Sequence, residues 1–183
     1  MLAERVLAVQ ADIERGRFER RAFDASLLLE LHRRIAGDLV PDWAGRWRTV
    51  EVRVGNLQPP LPHLVPLRMR DYCLDLQARW PEAAAHPGDL TLEFLAFAEG
   101  RFLTVHPFQD FNGRVIRLLL SELLRRLDLP PAHLEAEDGT GRAVYFAALE
   151  AADQNDLGPL IEIWKQRLAA NPPEETSSSS CPP

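Results

Sequence analysis

The chain is predicted to fold as an all-α body carrying one small β-hairpin flap. Three observations lead there. Apolar residues recur at three- and four-residue spacing in seven separate segments, the signature of helices that bury one face. One of these, residues 113 to 127, is apolar around most of its circumference, which marks a central helix. A single stretch, Arg48-Thr49-Val50-Glu51-Val52-Arg53-Val54, alternates with period two instead, and it is too small to form a sheet core.

The elements follow in order. Residues 2 to 15 place Leu2, Val6, Val9 and Ile13 at helical spacing. Asp24 is positioned to cap a helix over about 25 to 36, whose buried side is Leu27, Leu28, Leu31 and Ile35; Gly37 and Pro41 stop it. The valine-rich strand then turns at Gly55-Asn56, and Pro59, Pro60 and Pro62 follow. Pro66 opens a helix to about Trp80, and residues 90 to 105 make the next, with Phe94, Leu95, Phe97 and Phe102 inward. Pro130-Pro131 closes the central helix, Gly139 and Gly141 flank a turn, and helices are predicted over about 142 to 153 and, capped by Asp156, 157 to 169. The serine- and proline-rich residues 170 to 183 lack the apolar content to fold.

At 183 residues with 46% apolar content, one domain of ordinary size is expected. A formal charge of −6 argues against a nucleic-acid partner, which calls for a basic face. No apolar run of membrane-spanning length and no signal-peptide pattern occurs, so neither a membrane nor a secretory leader is expected. Cys73 and Cys181 are the only cysteines, and the second lies in the polar tail, which fits a reducing, cytoplasmic setting. His32, His63, His86 and His133 match no zinc spacing and read as ordinary surface or packing histidines.

The chemistry concentrates between residues 106 and 117, His-Pro-Phe-Gln-Asp-Phe-Asn-Gly-Arg-Val-Ile-Arg. The stretch sits between two helical patterns and reads as a tight loop entering a helix. Arg114 and Arg117 then fall in the first turns, where cations oppose the helix dipole. They make sense if an anion is held there, together with free backbone N–H groups. Asp110 could carry a divalent cation for that anion, and His106 could act as a general base. Anion, metal and base in one loop point to phosphoryl or nucleotidyl transfer.

This segment resembles the signature of the Fic (Fic/Doc) family, His-x-Phe-x-Asp/Glu-Gly-Asn-Gly-Arg-x-x-Arg. The match falls on His106, Phe108, Asp110, Asn112, Gly113, Arg114 and Arg117; Phe111 stands where the family usually has glycine. Weaker similarity to the family's first core helix and flap extends it to roughly residues 20 to 168, with residues 1 to 19 as an added N-terminal helix. The resemblance implies a protein adenylyltransferase that moves AMP from ATP, with Mg²⁺, to a Ser, Thr or Tyr hydroxyl of a target protein. It implies His106 as the base, Asp110 as the metal ligand, and Phe111, Asn112, Gly113, Arg114 and Arg117 around the nucleotide, with Tyr145 as a candidate adenine contact. Transfer of UMP or phosphate, or nucleotide binding by a degenerate site, are the alternatives. In the phosphorylating toxins of the family a lysine replaces the second glycine; Gly113 here favours nucleotidyl transfer.

Two further expectations follow from the resemblance. The strand Val50–Val54 would dock the target by β-augmentation beside His106. A phenylalanine at 111 can still offer its N–H provided its φ is negative. The family's inhibitory pattern, Ser/Thr-x-x-x-Glu-Gly/Asn, has no clear copy here: Ser26 to Leu31 fails at Leu31, and Glu99-Gly100 has Leu95 four residues before the glutamate. Either a separate small antitoxin supplies such an element or the regulation is absent.

Overall fold

In a computed structural model that describes residues 1–55, 57–134 and 139–170, seven helices build the body. They are α1 (Leu2–Glu14), α2 (Ala25–Ala36), α3 (Val65–Ala85), α4 (Asp89–Val105), α5 (Asn112–Arg126), α6 (Thr140–Asp153) and α7 (Gly158–Ala169). Helix α4 packs against α3, α5, α6 and α7, and α5 in turn packs against α1 and α2. The expected central helix therefore shares its position with α4, whose residues Phe94 to Gly100 are all buried. Phe94, Phe102, Tyr72, Met69 and Leu76 fill the α3–α4 seam and Trp164 fills the α7 side. Phe108, from the loop between α4 and α5, is also fully buried, so the core itself anchors that loop.

The helix boundaries follow local rules. The Asp24 carboxylate accepts from the Leu27 N–H at 3.0 Å and starts α2 as expected. Asp156 accepts from the Gly158 N–H at 3.0 Å, although Leu157 is the capping residue of α7. Helix α3 runs past Pro81 to Ala85, beyond the end expected at Trp80. The alanine-rich turn favours helix, and the Thr91 hydroxyl fastens it by donating to the Ala83 carbonyl at 2.9 Å.

The β-hairpin does not form. The described residues from 48 to 60 hold one isolated antiparallel bridge, Val54 to Leu57, and no strand. Pro59, Pro60 and Pro62 deprive the returning arm of N–H donors. The Arg48 guanidinium takes the carbonyls of Val50 and Pro60 at 3.1 and 2.6 Å, so a side chain closes the loop that a ladder would have closed. Residues 171–183, Cys181 among them, lie outside the described residues.

Candidate active site

Helix α4 ends at His106 in the left-handed conformation, φ 48°, with its N–H still bonded to the Phe102 carbonyl at 3.0 Å. Glycine is the usual residue at such a turn, because a Cβ is disfavoured there. Pro107 follows and cannot continue the helix. The His106 Nδ1 lies 3.3 Å from the Leu103 carbonyl. That oxygen can only accept, so Nδ1 carries the proton and Nε2 keeps its lone pair. Burial, aided by the nearby Arg48 cation, holds this imidazole below its usual range. A neutral ring with a free Nε2 is the form a general base needs at neutral pH.

The loop after His106 is braced from two sides. Asn112 is buried; its Oδ1 accepts from the Phe108 N–H and its Nδ2 donates to the Phe108 carbonyl, both at 2.9 Å. The side-chain amide expected to face a phosphate thus closes the loop instead, and what Asn112 presents at the helix start is its backbone. His32, at 0% exposure, stacks on the Phe108 ring with centroids 4.0 Å apart. Its Nδ1 accepts from the Gly45 N–H at 2.8 Å, so Nε2 bears the proton and donates to the Asp110 carbonyl at 3.3 Å. Gly45 has φ +71° and a Cβ there would stand 2.8 Å from Arg33 Cβ, so the close approach requires glycine. Burial lowers the His32 pKa to about 4, which keeps the ring neutral.

Phe111 caps α5 at φ 63°, so the negative φ on which its N–H could be offered to a phosphate is not met. A left-handed residue at this point explains why the signature has glycine there. The Phe111 ring packs with Trp43, centroids 6.1 Å apart and nearly parallel, and beneath the Arg114 guanidinium at 5.6 Å. Its N–H donates to the Asp110 carboxylate at 2.6 Å, and its carbonyl accepts from the N–H groups of Arg114 and Val115, each at 3.0 Å. Among the described residues the N–H groups of Asn112 and Gly113 have no protein acceptor. The Arg117 guanidinium folds back over this turn, its Nη1 3.6 Å from where a Cβ on Gly113 would stand. Neither Arg114 nor Arg117 has a carboxylate partner among the described residues. Free amides, a helix N-terminus and two cations form a corner whose chemistry suits an anion.

Asp110 is exposed, with one carboxylate oxygen on the Phe111 amide and the other open. No group of three metal-ligating side chains occurs among the described residues. The one open oxygen of Asp110 is a hard ligand of the kind Mg²⁺ takes when its other ligands are phosphate and water. Tyr145 lies apart from this hydrogen-bonded set: its hydroxyl donates to Glu99 at 2.7 Å, and the Arg167 guanidinium sits over its ring at 5.3 Å. Its hydroxyl thus ties α6 to a buried α4–α7 ion pair, Glu99 with Arg167 at 2.7 Å.

Three residues that hold the site, His32, Trp43 and Arg48, were not assigned to it from the sequence, although His32 and Arg48 lie in the segments that resemble the family's first core helix and flap. Each acts through contacts with residues 58 or more positions away. The leucine-histidine-arginine pattern of α2 looks like any amphipathic helix, and Arg48 looks like the outward residue of a strand.

Known proteins resemble the chain over the same region. A sequence profile of the Fic/DOC family matches residues 22–124. The protein adenylyltransferase fic-1 of Caenorhabditis elegans is 37% identical over 144 residues, 79% of this chain and 27% of that protein. The protein adenylyltransferase Fic of Nematostella vectensis is 34% identical over 136 residues, 74% of this chain and 30% of that protein. The solved structure of Fic-1 residues 134–508 from C. elegans superposes with a TM-score of 0.68 at 28% identity, covering 91% of this chain and 47% of that one. The chain thus spans under a third of these curated relatives. With the profile spanning more than half of the chain and the helical architecture shared, the chain belongs to the Fic/DOC family.

Proposed function

We propose that the chain transfers AMP from ATP to a Ser, Thr or Tyr hydroxyl of a target protein. The hydroxyl gives its proton to His106 Nε2, and its oxygen bonds to the α-phosphorus. The bond from that phosphorus to the bridging oxygen breaks, and pyrophosphate leaves. Arg114, Arg117 and the amides of Asn112 and Gly113 hold the phosphates. Asp110 would hold Mg²⁺, which would supply charge neutralisation for the leaving group. The carrying observation is the His106 Nδ1 contact with the Leu103 carbonyl, which leaves Nε2 its lone pair on the loop that leads to the unbonded N–H groups of Asn112 and Gly113. The relatives named as adenylyltransferases support the same reaction.

The test is mass spectrometry of lysate proteins incubated with the chain, Mg²⁺ and ATP. A mass increment of AMP on hydroxyl side chains, absent with His106→Ala, is the expected result. Phosphate or UMP increments with the matching nucleotides would select the nearest rival. ATP binding with no modified protein would identify a degenerate site, the rival that the left-handed Phe111 favours.

The surroundings of the reaction belong to the same reading. A groove of about 750 Å³ between α1 and α5 is lined by Leu2, Val6, Leu7, Leu118, Arg114 and Arg117. Its apolar wall and unpaired cations suit an amphipathic antitoxin helix that carries one carboxylate. No helix among the described residues is long and apolar enough to cross a membrane. Burial pushes the Cys73 thiol up to about 12, leaving it unreactive; a cytoplasmic setting is part of this reading, and the formal charge of −6 supports a protein target over a nucleic-acid partner. The catalytic domain is taken as residues 20 to 169, with α1 packed on it and the remaining tail outside it.

A further inference from the structure

Arg48 is 4% exposed and forms no ion pair among the described residues; the Glu51 carboxylate acts on it only through space. A buried cation without a directly bonded carboxylate needs another source of negative potential. It finds one in backbone carbonyls. Its Nε donates to the His106 carbonyl at 2.8 Å, and its Nη2 reaches the Val105 carbonyl at 3.4 Å. These are the last carbonyls of α4, at the negative end of the helix dipole, which leaves such groups without intrahelical partners. The Arg48 N–H donates to the Pro107 carbonyl at 2.9 Å, so three consecutive carbonyls, 105 to 107, are held by one residue. The middle one belongs to the left-handed His106.

The other face of the same guanidinium holds a second segment. Nη1 donates to the Val50 carbonyl and Nη2 to the Pro60 carbonyl, the two ends of the loop expected to receive the target. One rigid planar group therefore spans both the base and the loop beside it. Lysine has a point charge on a flexible stem and cannot reproduce this fork.

We propose that Arg48 is a positioning residue: it fixes the backbone of His106 so that its Nε2 stays free, and sets the 50–60 loop in register with that nitrogen. The proposal rests on His106 being the base of the transfer reaction, but its first test does not require any transfer. Two variants of the full chain, Arg48→Lys and Arg48→Met, separate charge from geometry.

The direct readout is ¹⁵N NMR of the His106 imidazole across a pH titration. Wild type should show one tautomer with Nδ1 protonated. Both variants should show a mixture, because the Leu103 contact loses its register. The His106 pKa should rise in Arg48→Met, since removing a nearby cation makes the imidazolium less unfavourable, and should stay near the wild-type value in Arg48→Lys. The second readout is AMP incorporation from radiolabelled ATP into lysate proteins at saturating ATP. It should fall roughly 10- to 100-fold in both variants, as misplacement of a catalytic group does, while ATP affinity stays within about twofold, since Arg48 does not belong to the anion corner.

A single wild-type tautomer and an unmoved titration in Arg48→Met would overturn the proposal. So would loss of ATP binding in step with transfer, or failure of both variants to fold, either of which makes Arg48 a general structural staple. If wild type transfers nothing while the NMR effects appear, the positioning role stands and the proposed reaction fails.

Discussion

The two ends of α5 use the same residue type in opposite ways. At the C-terminal end, Arg125 and Arg126 share Glu122, with closest approaches of 3.1 and 2.6 Å, and Glu122 is 1% exposed. Arg126 also donates to the carbonyls of Phe18 and Arg21 and covers the Phe23 ring at 4.3 Å. These cations sit where the dipole favours them, and every bond they make is internal. At the N-terminal end, Arg114 and Arg117 stand against the dipole and share no carboxylate among the described residues. Arginines that satisfy the fold are finished in the free protein. Arginines without an internal partner are not, and on the proposed function the contrast within one helix sets stability at one end against anion binding at the other.

The contrast is sharpest where the fold-satisfying end is cut. Glu122→Ala leaves two guanidinium groups around an empty buried site, and loss of one partner of a buried pair costs about 3–5 kcal/mol. Urea unfolding should show that loss, whereas ATP affinity of the folded fraction should not change. At the other end His106→Ala should leave the melting temperature near wild type and reduce AMP transfer by about 10² to 10⁴. Wild-type transfer by that folded variant would remove the base from the mechanism.

Arg117→Ala is the direct counterpart of Glu122→Ala. It should weaken ATP binding by about 1.5–3 kcal/mol, the worth of a charge-assisted contact, measured by titration calorimetry. Its stability should change by less than about 0.5 kcal/mol. If Arg117→Ala melts as early as Glu122→Ala and binds ATP normally, the two ends are alike and the contrast fails.

His32 extends the contrast to pH. Its folded pKa of about 4 lies below the ordinary 6.5. Between those values the unfolded chain takes up a proton that the folded chain refuses, so stability is full above pH 6.5 and falls as pH drops toward 4. Urea midpoints across that window should fall in wild type and flatten in His32→Gln. For transfer, His106 must be neutral. Its depressed pKa places the acid loss of activity below pH 6.5, which a pH–rate profile at saturating ATP would locate.

Phe111→Gly carries the smallest expected change. Glycine relieves the left-handed strain, about 1 kcal/mol, and forfeits the packing on Trp43 and under Arg114, about as much. Stability should stay within about 1 kcal/mol, with transfer equal to wild type or lower. A silent wild type beside an active, equally stable Phe111→Gly would show that the ring closes the phosphate corner.

Several parts of the site are legible in the sequence. The helix over 25 to 36 is marked by its leucines and by Asp24, because helical spacing and a local cap are properties of neighbouring residues. The motif places His106, Asp110 and both arginines on one loop and the first turns of the helix it enters, because twelve consecutive residues cannot separate. The expected hairpin fails for a related reason. Alternation of valines with charges over Arg48–Val54 has the period of a strand, but only Glu51 to Val54 alternate between exposed and half-buried, and Thr49, Val50 and Glu51 are all exposed. A strand also needs a partner with free donors, and three prolines and one buried guanidinium remove it.

Local order, then, is written in the sequence: which segments coil into helices, where α2 begins, and which loop carries the chemistry. Tertiary structure alone decides that Asn112 closes the loop, that His32 holds Asp110 from 78 residues away, and that Arg48 reaches across 58 residues to His106. Helix periodicity and capping are set by residues within one turn of each other. A hydrogen bond between distant residues depends on how the helices between them pack, and no short stretch of sequence contains that information.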